Sequence, residues 1–132
     1  MKIFLFFCIF MSLSAQEYAV VAKKGMQKVS ANQIRALFLK KTSYIGDKKV
    51  VVLNLSAQES LRMSFEKKVL KMNFRHLKEY WIKQHYLGHR PPITLKSQES
   101  IIAFIKKVDG AIGYVELKKV DDELKILYRW VD

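Results

Sequence analysis

Apolar and polar positions change period several times along this chain, and each change marks an element. Tyr18-Ala19-Val20-Val21-Ala22 is a continuous apolar run, which predicts a buried strand over Glu17 to Lys24, with Gly25 as the turn after it. The period then becomes helical: Ile34, Leu37 and Phe38 fall on one stripe behind Val29. Ser30 and Gln33 have capping-box spacing, so a helix is expected to about Leu39, closed by Lys40 and Lys41 at the negative end of its dipole. Thr42 to Asp47 reads as a loop turning at Gly46-Asp47. Lys49 to Leu55 reads as a central strand, because Val50-Val51-Val52-Leu53 is β-branched and apolar on both faces.

The second half repeats the alternation. Ser56 and Glu59 have the spacing of another capping box, opening a helix with Leu61, Phe65 and Val69 inward and Lys67, Lys68 and Lys71 in water. Asn73 is placed to cap a helix that buries Leu77, Tyr80, Trp81 and Gln84, the aromatic pair serving as core at that spacing. Gly88-His89-Arg90-Pro91-Pro92 is a stiff basic loop. Ser97 caps a helix over Gln98 to Val108, and Asp109-Gly110 stops it. Ala111 to Val115 and Leu124 to Trp130 read as strands separated by a polar turn, with Gly113 marking a close approach or a bulge. The order strand, helix, strand, helix, helix, helix, strand, strand predicts a small α/β domain with a mixed sheet flanked by helices.

Composition adds a compartment. Lys2, the apolar run Ile3 to Met11 and the small residues Ser12 to Ala15 together have the form of a cleavable secretory signal peptide, cut after Ser14 or Ala15. Residues 16–132 would then be the mature domain, soluble in the periplasm. Cys8 lies inside the leader, so the mature domain would be free of cysteine and held by its core alone. The formal net charge of +12 favours anionic partners, with nucleic acid the least expected of them after export.

Catalytic chemistry finds little support. The sequence has no nucleophile elbow and no phosphate-cradling glycine loop. Ser56, Glu59 and His76 have no spacing that would unite them as a triad. His85 and His89 have metal-ligand spacing for a helix, yet Gly88 and the prolines place the helix end between them, and no cysteine or carboxylate cluster accompanies them. No enzyme activity, metal or cofactor is expected.

The segments QIRALFLKK, VVVLNLSAQESLRMSFEKKVL, YWIKQHYLGHRPP and DGAIGYV, in that order, resemble short exported relatives of the phosphate substrate-binding proteins of ABC transporters, a type 2 periplasmic-binding-protein-like family. The resemblance runs from about Tyr18 to Val115. It implies a single small periplasmic-binding-protein-like domain and an oxyanion ligand such as phosphate, with an ABC transporter membrane component or another periplasmic or membrane protein as partner. In full-length members an arginine at a strand end, a serine-glycine-threonine turn and the following helix N-terminus hold phosphate. The matching place here is Asn54, Ser56, Ser60 and Arg62, with Thr42, Ser43 and Arg90 as secondary candidates. The glycine-rich turn is absent, Glu59 stands where it would repel an anion, and the chain is about half the length of the two-lobed proteins. The alternative is a non-catalytic module that keeps the fold without a ligand and docks on a membrane or protein partner through its basic face.

Overall fold

A computed structural model describes residues 16–132; the expected leader, with Cys8, lies outside them. The elements are β1 (Glu17–Lys23), α1 (Ala31–Phe38), β2 (Tyr44–Ile45), β3 (Lys48–Lys49), β4 (Val51–Leu55), α2 (Ser60–Phe65), a π-helical turn (Glu66–Leu70), α3 (Phe74–Tyr86), β5 (Ile93–Leu95), α4 (Gln98–Lys107), β6 (Ala111–Glu116), a 3-10 turn (Leu117–Lys119) and β7 (Leu124–Val131). Five strands form one sheet in the order β5-β4-β6-β1-β7, and β2 pairs with β3 in a separate hairpin. β4 is parallel to β5 and β6, whereas β1 runs antiparallel to β6 and β7, so the sheet is mixed as the alternation of elements predicts.

Most caps follow the sequence signals. Ser30 accepts from the Gln33 amide at 3.2 Å while the Gln33 side chain accepts from the Ser30 amide at 2.8 Å. Asn73 and Ser97 cap α3 and α4 through the amides of His76 and Ser100. The second expected capping box does not form. Ser56-Ala57-Gln58 makes a turn of its own, with the Glu59 amide bonded to the Ser56 carbonyl, so α2 starts later and Glu59 is an N-cap without a side-chain bond. Three strands were also outside the expectation. The Lys49 to Leu55 run divides because Gly46, at φ +62°, turns Tyr44–Ile45 back on Lys48–Lys49, leaving β4 to begin at Val51. β5 has only three residues, two of them exposed, and its partner β4 supplies the regularity that its own pattern lacks.

Both faces of the sheet are covered. Side chains alternate along β6, so Gly113 faces α4 and Tyr114 faces α1 and α2. Phe65 of α2 stacks on Tyr114 at 4.1 Å between ring centroids and 11° between planes, with Phe38 and Trp130 tilted against the pair. The only buried polar side chain in this core, among the described residues, is Ser64. It accepts from the Trp130 indole N–H at 3.1 Å and donates to Asp132 at 2.7 Å, which satisfies the indole inside an apolar layer. α3 is the outlying element. Leu77 is its one buried residue, while Tyr80, Trp81 and Gln84, expected inside, are half-buried. Among the described residues no helix is long and apolar enough to cross a membrane.

The two glycines of DGAIGYV are there for space. At Gly110, φ is +81° and a Cβ would stand 2.5 Å from the Lys49 carbonyl oxygen; at Gly113 it would stand 2.6 Å from Ile101 Cγ2. Gly110→Ala therefore carries both the left-handed penalty of about 1–2 kcal/mol and a clash with fixed backbone. Gly113→Ala meets a side chain and costs about 1–3 kcal/mol as overpacking. Urea unfolding of both variants should give midpoints below wild type, Gly110→Ala the lower, and a wild-type midpoint in either would show that its close approach is not obligatory. Ser64→Ala should cost about 1–3 kcal/mol by stranding the Trp130 N–H, read by the same unfolding curves with Trp emission as the probe.

Candidate functional site

In a mixed α/β sheet the carboxyl ends of parallel strands open toward the loops that follow them, and β4 ends in Asn54-Leu55-Ser56. Four candidate residues derive from this strand and the helix after it. Arg62 lies in the first turn of α2 and folds back over the strand end, where Nη1 donates to the Leu55 carbonyl at 2.9 Å. That bond places the guanidinium against the backbone between Asn54 and Ser56. Ser56 is turned toward β5: its amide donates to the Leu95 carbonyl at 3.1 Å and its hydroxyl approaches the same oxygen at 3.5 Å, a long and weak bond. Ser60 is exposed at the first residue of α2.

Asn54 is held by a residue that no local signal marked. The buried Tyr114 hydroxyl donates to Asn54 Oδ1, and the Leu55 amide donates to the same oxygen at 2.9 Å. Burial raises the Tyr114 pKa well above that of an ordinary phenol, so it remains a donor throughout the physiological range. With its oxygen taken, Asn54 has its amide nitrogen left for a ligand. The parallel pairing of β4 with β6 brings Tyr114 here, a contact between residues sixty apart in the chain.

Glu66 is the second residue outside the sequence reading, although its position four after Arg62 was a visible ion-pair spacing. Its Oε2 stands 3.6 Å from Arg62 Nε, close enough to attract and too far to hydrogen-bond. Arg62 Nε is accordingly buried without a hydrogen-bond partner. Both side chains are about four-fifths buried. Burial raises the Glu66 pKa above its ordinary 4.5, and the neighbouring guanidinium only partly opposes that rise.

Arg62 and Glu66 also line a groove of about 1000 Å³ between α2 with its π turn and α3, together with Lys67, Lys71, Lys78 and Trp81. Thr42 and Ser43 sit on the loop from α1 to β2, where the Ser43 carbonyl accepts from the Val50 amide at 2.8 Å. Arg90 is exposed on the loop before β5. Among the described residues no hydrogen bond joins these three to Arg62, Asn54 or Ser56. Nor does α3 align His85 with His89: the helix closes at Leu87, and His89 Nδ1 lies 2.7 Å from Gln84 Oε1.

No protein-family model and no curated protein matches this chain. Solved structures do. An ABC-type phosphate transport receptor from Vibrio cholerae is 15% identical at a TM-score of 0.66, over 86% of this chain and 46% of its own. A phosphate ABC transporter substrate-binding protein from Clostridium perfringens, solved with bound phosphate, is 16% identical at 0.66, over 86% and 45%. PstS from Borrelia burgdorferi is 14% identical at 0.63, over 86% and 47%. The chain spans about half the length of these proteins, and over that half it has their periplasmic-binding-protein-like α/β fold.

Proposed function

We propose that this chain is a solute-binding-like domain that holds phosphate or a related oxyanion at the carboxyl end of β4, serving an ABC transporter or a sensing partner after export by the leader over residues 1–15. The observation that carries the reading is Arg62 at a strand end in a fold shared with phosphate-binding transport proteins. A guanidinium offers paired donors to an oxyanion, and with Nη1 on Leu55 and Nε buried beside Glu66, the Nη2 donors are left for a ligand. The Asn54 amide nitrogen and the hydroxyls of Ser56 and Ser60 are the other donors near that backbone. Thr42, Ser43 and Arg90 stay as secondary candidates, to be used if Arg62 proves dispensable.

Two carboxylates set the conditions. Glu59 stands at the N-cap of α2, and Glu66 is already a counter-anion for Arg62. An incoming oxyanion competes with Glu66, so affinity depends on its charge. Because the folded-state pKa of Glu66 is raised, its contribution to stability is fully present below its ordinary value of 4.5 and is lost as pH climbs through the raised one. Protonation of Glu66 also frees Arg62, so anion binding strengthens in the same acidic direction.

Calorimetric titration of inorganic phosphate into the purified protein should show saturable heat and a rise in melting temperature. The absence of both effects at millimolar phosphate would overturn the reading and leave the ligand-free docking module. Arg62→Ala should weaken binding by well over tenfold, about 2–3 kcal/mol for a charge-assisted bond, with circular dichroism confirming the fold. Sulfate, whose charge is constant across the range, should bind more tightly as pH falls from 7 toward 5. Glu66→Gln should flatten that profile and bind several-fold more tightly at pH 7; an unaltered slope would show that Glu66 does not control Arg62.

A further inference from the structure

After Phe65 the helix widens into the π turn Glu66–Leu70 and stops at Lys71, a non-glycine residue in the left-handed conformation at φ +55°. Both features cost energy, and single π turns of this kind recur at functional sites. Val69 and Leu70 are buried beneath the turn, and Arg35 Nη1 donates to the Val69 carbonyl at 3.2 Å, so the irregular backbone is anchored from below. Its upper side presents Lys67 and Lys71 to the groove beside α3.

The groove has two chemistries. Its apolar surface comes from Met63, Met72, Phe74, Leu77 and Trp81. Met63 is 62% exposed and Phe74 76%, so two large apolar side chains of one groove stand open to water. Four cations, Arg62, Lys67, Lys71 and Lys78, border it against the single carboxylate Glu66. A bare inorganic anion would leave the apolar surface uncovered, and a neutral hydrocarbon would leave the cations facing it without a partner. An alkyl chain with an anionic head answers both. The volume suits a small ligand, and the unbranched thioethers of Met63 and Met72 adapt to a flexible chain.

We propose that this groove binds a free single-chain anionic amphiphile, its phosphate or carboxylate head among Lys67, Lys71 and Lys78 and its alkyl chain along Met63, Phe74 and Trp81. The site does not depend on oxyanion binding at Asn54 and Ser56. It is tested with residues outside that set, and Arg62 is left intact.

The probe is dodecyl phosphate kept below its micelle concentration, followed by calorimetry and by the emission of Trp81, with Trp81→Phe separating its signal from that of Trp130. Micromolar binding is expected, falling about fourfold for each methylene removed from the chain. Dodecyltrimethylammonium, the same chain with a cationic head, should bind at least tenfold more weakly. Lys67→Glu with Lys78→Glu, both exposed positions, should weaken dodecyl phosphate at least tenfold while leaving the melting temperature within a few degrees. Equal binding of the two head groups, unchanged affinity in the double variant, or binding to anionic phospholipid vesicles without binding of monomeric dodecyl phosphate would each overturn the proposal. Inorganic phosphate binding that persists in the double variant would show the two sites to be separate.

Discussion

Tyr114 is the point at which the layers of this protein meet. Its ring is fully buried and stacked on Phe65, its neighbours Phe38 and Trp130 come from α1 and β7, and its hydroxyl reaches the end of β4. A tyrosine can serve in this way because it combines a large apolar body with one polar tip, and the tip must find a partner once water is excluded. Asn54 is that partner. The same residue that closes the core therefore fixes the side chain at the strand end. On the opposite face, Gly113 removes a side chain so that Ile101 of α4 can approach the sheet. Bulk at one position and its absence at the preceding one set how β6 lies between two layers of helix.

Much of this architecture was legible from periodicity. β1, α1 and α4 carry unbroken patterns, β7 alternates well enough to be read despite its irregular register against β1, and the helix caps were marked by Ser30 with Gln33 and by Ser97. Part of what escaped was held by partners distant in sequence. β5 is short and half exposed, so nothing in Ile93-Thr94-Leu95 identifies it apart from β4 alongside. The Ser56–Glu59 spacing had the right residues for a capping box, and the turn at Ala57-Gln58 moved the helix start beyond it. Spacing reports what a backbone can do, and tertiary contacts decide which option it takes.

The candidate site was legible to a different degree. The sequence pointed to a strand end followed by an arginine, and the fold does bring Arg62 back over Leu55. It did not indicate that Glu66 would share the guanidinium or that Tyr114 would orient Asn54. One was a local pair whose importance depends on burial. The other joins two strands and has no local signature at all. Nor could a helical wheel tell that Trp81 would border an open groove, since half-burial of α3 follows from how little of the protein packs against that helix.

The position of β1 has a consequence for how the chain acquires its structure. The first strand is not at an edge: it lies between β6 and β7, with Val20 opposite both Tyr114 and Tyr128. Its backbone donors and acceptors gain their ladder partners only once β6 and β7 are available, far along the chain. Closing so long a loop carries an entropic cost that local contacts cannot offset early, which slows folding. The order of strands in the sheet thus makes the pairing of β1 a late event, dependent on β6 and β7.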